Sequence, residues 1–226
     1  MSTSDPCHIC CTDELGTIEM AASDLVLGIT GASGALYAIR LLEVLVRTER
    51  IVHVTMSPAA AQVFQAELGL TVDLRNPQFS DFLPPDLEHQ AHKLIRYYHF
   101  QDFSSGIASG SFLTAGMVVC PCSMGTVSAI AHGTSSNLIH RAADVHLKEK
   151  RKLILVPRET PLGLVQLRNM TLCAEAGAMM LPAMPAYYTK PETVQDMVDF
   201  VVGRIADQLG VQHQLLKRWG TVLGED

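Results

Sequence analysis

Four short segments hold residues able to do chemistry, and three of them follow a run of apolar residues. The first is Thr30-Gly31-Ala32-Ser33-Gly34-Ala35. A glycine turn leading into a helix offers free N–H groups and a positive helix end to an anion, and Ser33 adds a hydroxyl. Gly28, Gly31 and Gly34 miss the dinucleotide spacing, and His53 to Ser57 supply no acidic residue for a ribose, which argues against NAD. The second segment is Cys120-Pro121-Cys122-Ser123-Met124-Gly125-Thr126, where Ser123 is a natural helix cap and its surroundings suit a flavin or phosphate. Cys120 ends an apolar run, so both cysteines read as packing residues before redox groups.

The third segment puts Arg141 and Lys148 two helical turns apart on one face, with Val145 between them. The fourth, Val156-Pro157-Arg158-Glu159-Thr160, sets a charged pair directly after an apolar strand. Arg158 is suited to bidentate contact with phosphate, and Glu159 to pairing with Arg158 or to handling protons. Each has a structural alternative: a turn that only packs helix on sheet, cations that snorkel from an apolar surface, or a surface ion pair. Tyr187, Tyr188 and the single tryptophan, Trp219, are core aromatics by default. A functional Tyr188 would donate its hydroxyl to phosphate, and a functional Trp219 would face an allylic cation.

The elements that must position these groups alternate along the chain. Strands are expected at Leu25 to Thr30, Ile51 to Met56, Lys93 to Tyr98, Met117 to Cys120 (ending at Pro121), Leu153 to Val156 and Ala178 to Leu181. Helices are expected at Ala35 to Arg47, Ala59 to Leu68, Ser123 to His132, Leu138 to Lys150, Gly163 to Ala176 and Pro191 to Leu209. In the first helix the apolar stripe reads Leu36, Ile39, Leu42 and Val46, and Ser57-Pro58 supply a cap and a first-turn proline for the second. Repeated βαβ units imply an α/β fold with a mostly parallel sheet and helices on both faces. Ligands of such sheets sit beyond the carboxyl ends of the strands, where all four segments except the Arg141–Lys148 helix fall.

The 226 residues are 48% hydrophobic with a net charge of −6, which suits one α/β domain and disfavours general nucleic-acid binding. Residues 1–23 read as a flexible extension without periodicity, followed by a single α/β domain over 24–226. No run is apolar enough to span a bilayer, and the first residues resemble neither a signal nor a transit peptide, so the expected location is cytoplasmic. Cys7, His8, Cys10 and Cys11 crowd the N-terminus without a second ligand pair, so no metal is assigned.

The stretches ITGASGALYAIRLLEVL, VVCPCSMGTVSAIAHG, NLIHRAADVHLKEKRKLILVPRETPL, and AYYTKP with a later RWG resemble the flavin prenyltransferase family from about Leu25 to Gly220. The resemblance implies a Rossmann-like (flavodoxin-like) three-layer sandwich that assembles as a homo-oligomer, often a dodecamer. It implies a metal-independent enzyme that joins a dimethylallyl group from dimethylallyl phosphate, or the diphosphate, to N5 and C6 of reduced FMN. The product, prenylated FMN, would serve a partner decarboxylase.

By the same resemblance, Gly31, Ala32, Ser33, Ser57, Ser123, Thr126 and Arg141 contact FMN. Lys148, Arg158 and Tyr188 clamp the allyl phosphate. Glu67 is a carboxylate near the substrate, and Glu159 assists proton transfer with the departing phosphate. Trp219 shields the prenyl group, and Ser109-Gly110-Ser111 form a loop near both ligands. His140 and His146 are assigned nothing. Two rival readings remain: an FMN-dependent cysteine decarboxylase of related fold, which would need a histidine base and an Asn-containing motif, and a non-catalytic flavin-binding protein.

Overall fold

The structure, a computed structural model, describes residues 24–216. Its strands are β1 (Leu25–Ile29), β2 (Val52–Met56), β3 (Ile95–Tyr97), β4 (Gly116–Cys122), β5 (Lys152–Pro157) and β6 (Met179–Met180). All pairings are parallel, in the order β3-β2-β1-β4-β5-β6. Crossovers run outward in opposite directions from the central pair, so the switch point lies between β1 and β4.

Alternate strand residues feed two cores, as expected of a parallel sheet covered on both faces. Leu25, Leu27, Ile29, Val54 and Met56 pack against α1 (Ala35–Arg47), α2 (Pro58–Leu68), α3 (Glu88–Leu94) and α7 (Val194–Leu209). Val26, Met117, Val119, Leu153 and Leu155 pack against α4 (Met124–Ala131), α5 (Leu138–Lys148) and α6 (Leu164–Glu175). Each fully buried Leu or Ile side chain contributes about 2 kcal/mol of transfer free energy. The three-layer α/β architecture therefore stands as the sequence predicts.

Several boundaries differ, each for a local reason. Leu36 is exposed, because the buried arc of α1 centres on Ala38, Leu41, Leu42 and Leu45, on the opposite side of the helix. Residues 88–94 form α3, a helix too short to show a period; only Ile95–Tyr97 of the expected strand pairs with β2. β4 runs through Pro121 to Cys122. Pro121 has no N–H to give a neighbour, and it sits in a register shift between Val119 and Cys122, following a cis peptide bond. α7 starts at Val194, where Thr193 and Asp196 form a capping box.

Candidate active site

The carboxyl ends of β1 and β4 are tied by the Thr30 amide, which donates to Pro121 O at 3.2 Å, and by its buried hydroxyl. Thr30 Oγ1 donates to Pro121 O at 2.8 Å and accepts from Ser123 N at 2.7 Å. That contact fixes the start of α4 beside the turn that follows β1. Ser123 caps α4 by accepting from Thr126 N at 3.3 Å, and its hydroxyl lies 3.0 Å from that of Thr126. Ser57 caps α2 in the same way through Ala60 N at 3.2 Å, and its own amide donates to Ile29 O at the end of β1. Gly31 lies against Ala59 in the first turn of α2, and Ala32 beside it is buried. The starts of α1, α2 and α4 therefore converge beyond the carboxyl ends of β1 and β4, with Ser33, Ser57, Ser123 and Thr126 at those starts.

The start of α1 is not open to a ligand in the way its sequence suggests. Gly34, at φ 118°, is a cap without a side chain. The missing acceptor comes from the far end of α2: Glu67 accepts from Gly34 N at 3.1 and 3.0 Å and from Ala35 N at 2.9 Å. Burial pushes the Glu67 carboxyl up, but hydrogen bonds from Ser33, Ala35 and Gly34 and the Arg158 charge outweigh it and hold the group below its ordinary value. The free anion site expected at this turn is thus partly filled by the protein's own carboxylate. The helix ends left for a phosphate are those of α2 and α4.

Arg158 leaves β5 at the same edge and donates through Nε to Ser33 O at 3.3 Å. Glu159 follows it, exposed, with its carboxylate accepting from Thr160 N at 3.0 Å. The chain after β6 runs alongside, with Ala183 N donating to Pro157 O at 3.0 Å, and leads to the exposed Tyr187 and Tyr188. The Tyr188 ring packs edge-on against Phe200 of α7. Tyr37, which the motifs do not mark, covers Gly34 and lies near Arg158; burial and the nearby Cys120 raise its hydroxyl, with Arg158 opposing, so it stays protonated. Cys120 and Cys122 are fully buried, and burial drives both thiols far up, which leaves them as packing groups.

The remaining predicted residues gather elsewhere. Arg141 of α5 donates through Nε to Ala108 O at 3.0 Å and pairs with Asp144 at 3.1 Å. Ala108 leads into Ser109-Gly110-Ser111, whose two serine hydroxyls lie 2.9 Å apart and exposed. Lys148 ends α5, also exposed, four positions before β5 begins. Arg158 follows the other end of β5. Six residues of strand, roughly 20 Å at the usual rise, separate the two sheet edges, so one chain does not bring Lys148 to Arg158. The separation was readable in the sequence, since the two cations flank one strand. Trp219 and the N-terminal Cys7, His8, Cys10 and Cys11 lie outside the described residues.

Among the described residues, no cluster of three or more His, Cys, Asp or Glu side chains is arranged to hold a metal ion. No described helix is long and apolar enough to cross a membrane.

A family model described as Flavoprotein matches residues 17–206. The flavin prenyltransferase UbiX of Alkalihalophilus pseudofirmus is 48% identical over 196 residues, covering 87% of this chain and 96% of the relative. That of Pseudomonas aeruginosa is 45% identical, covering 87% and 93%. A crystal structure of AnUbiX in complex with FMN and dimethylallyl pyrophosphate superposes with a TM-score of 0.76 at 36% identity, covering 87% of this chain and 97% of that one. A dodecameric FMN-dependent UbiX-like decarboxylase from Escherichia coli O157:H7 gives 0.75 at 39% identity, covering 87% and 98%. The FMN-dependent cysteine decarboxylase TvaF, at 13% identity and 0.53, shares the fold alone.

Proposed function

The chain belongs to the flavin prenyltransferases of the flavoprotein family, and on that premise we propose that it joins a dimethylallyl group from an allylic phosphate ester to reduced FMN, in a site completed by a second copy of the chain. The observation that carries this reading is the division of the cations. Arg158, Glu159, Glu67 and Ser33 stand at the carboxyl edge of the sheet, while Arg141, Lys148 and the Ser109–Ser111 loop gather along α5 and the opposite edge. Each half alone is too sparse to hold both a flavin phosphate and an allylic ester.

The residues fit FMN. Capped helix ends at Ser57 and Ser123 suit its phosphate, and the apolar, hydroxyl-lined crevice between β1 and β4 suits a flat ring. Reduced FMN supplies the nucleophilic N5 and C6. Around it, Arg158 and Tyr188 of one copy with Lys148 of another hold the ester phosphate. Their charge and hydroxyl stabilise it as the C–O bond lengthens. Glu159 exchanges a proton with the departing phosphate. Glu67 holds Ser33 and the start of α1 in place beside the reacting region, and Trp219 shields the prenyl group from water. The product serves a decarboxylase that uses prenylated FMN.

The test is anaerobic incubation with reduced FMN and dimethylallyl phosphate or diphosphate, read by mass spectrometry. A flavin adduct enlarged by five carbons is expected with one donor or both. Absence of an adduct with either, from protein that binds FMN, would leave a flavin-storage role in its place.

A further inference from the structure

The Ser109-Gly110-Ser111 loop has little of its own to hold it. Its internal hydrogen bonds are Ser109 N to Gly106 O at 2.9 Å, Phe112 N to Ser109 O at 3.3 Å, a long one from Ser111 N to Ser109 Oγ at 3.4 Å, and the contact between the two serine hydroxyls. Its order comes from outside, from the connection between α5 and β5. Arg151 Nη1 donates to Phe112 O at 2.7 Å, and Arg151 Nη2 donates to Gly110 O, so one planar guanidinium grips the carbonyls on both sides of Ser111. A Cβ on Gly110 would overlap the Glu149 carboxylate, so the loop backbone lies directly against this connection.

Two further ties hold the strap that follows. His146 Nδ1 faces Ala142 O at 2.7 Å, and a carbonyl can only accept, so Nδ1 carries the proton and Nε2 accepts from Thr114 Oγ1 at 2.9 Å. The Phe112 ring meets the His53 ring edge-on at 5.1 Å, and His53 is itself hydrogen-bonded to Asp24 at 2.9 Å. Arg151 is the only one of these groups that touches the loop carbonyls themselves. It uses neither hydroxyl, and leaves Ser109 and Ser111 exposed for a ligand.

We propose that Arg151 is a positioning residue: its guanidinium fixes the Gly110 and Phe112 carbonyls so that the Ser109 and Ser111 hydroxyls are presented together to the allylic ester. This rests on the reading that the loop faces the donor. Removing the grip loosens the loop, and the loss falls on donor binding before it falls on flavin binding.

Four variants test it: Arg151→Gln, Arg151→Lys, Ser109→Ala and Ser111→Ala, each with steady-state constants for the donor, the Kd for FMN from flavin fluorescence, and a urea midpoint. Arg151→Gln is expected to raise the donor KM about tenfold, with kcat and FMN affinity near wild type. Arg151→Lys, which keeps the charge but can serve one carbonyl well, is expected to raise KM by a smaller factor. Wild-type constants in folded Arg151→Gln, with a raised KM in either serine variant, overturn the role of Arg151 and leave the loop's substrate role standing. Wild-type constants in both serine variants remove the loop from the donor site, and the positioning role with it. If Arg151→Gln does not fold, Arg151→Lys decides: a raised donor KM supports the role, and wild-type constants overturn it.

Discussion

The Glu67 carboxylate at the end of α2 takes the Gly34 amide with both oxygens, at 3.1 and 3.0 Å, and so caps a helix that has no side-chain cap of its own. Two helices on one face of the sheet are joined at the edge where ligands bind. Replacing Glu67 with Ala leaves the Gly34 and Ala35 amides to water and should cost about 1 kcal/mol, in the range of other cap losses. The sign with pH follows from the depressed carboxyl: its stabilisation is present above the ordinary value of 4.5 and is lost as pH falls through the lower folded-state value. Urea midpoints of wild type and Glu67→Ala should therefore differ at pH 7 and converge in acid.

The Thr30 hydroxyl joins the ends of β1 and β4, and its substitution separates shape from hydrogen bonding. Thr30→Val keeps the volume but strands the half-buried Ser123 N and takes one of two hydrogen bonds from Pro121 O, which keeps that from Thr30 N at 3.2 Å. The expected loss is about 2 kcal/mol of stability, together with weaker FMN binding as the start of α4 drifts. Thr30→Ser restores the hydroxyl and should restore both. A Thr30→Val protein that binds FMN as tightly as wild type would detach this bridge from the flavin site.

A site divided between copies makes a prediction about mixtures. Lys148→Ala and Arg158→Ala should each abolish transfer when pure, since each removes one cation from every site. After the two are dissociated, mixed in equal amounts and reassembled, random assortment gives about one site in four with both cations intact, and activity should return to about that fraction. If both cations of a site came from one chain, every site in the mixture would keep one lesion and no activity would return.

The parts of this architecture legible in the sequence are those written in contiguous residues. Ser57-Pro58 and Ser123 announce their helices because a cap acts on the amides two or three positions on. The apolar runs at Leu25, Val52, Met117 and Leu153 announce strands buried on both faces. What was hidden depends on contacts across the chain: the Thr30 bridge spans 91 positions and the Glu67 cap spans 33. Neither leaves a local pattern. The wide spacing of Lys148 and Arg158 was available, because β5 lies between them in the sequence and a strand has two ends. Motif matching sets residues side by side by role, whereas strand direction sets them apart in space.

Two histidines that the motif resemblance leaves unassigned, His140 and His146, should weaken the fold in acid. His146 is buried, with its Nδ1 proton given to Ala142 O; burial lowers its proton affinity, the Ala142 bond opposes that, and the Arg151 charge adds to the lowering. His140, beside Ser136 and Asn137 at the start of the same helix, is lowered by burial as well. For such a group the unfolded chain takes up a proton near the ordinary value of 6.5, while the folded chain stays neutral to lower pH. The unfolded state then binds more protons, so stability is complete above 6.5 and falls as pH drops below it. His146→Gln cannot charge, and its stability should fall less steeply than that of wild type between about pH 6.5 and 5, where histidine titrates. Urea midpoints across that interval give the comparison; parallel slopes would mean that His146 accepts a proton in the folded state as readily as in the unfolded one, against its burial and its contact with Arg151.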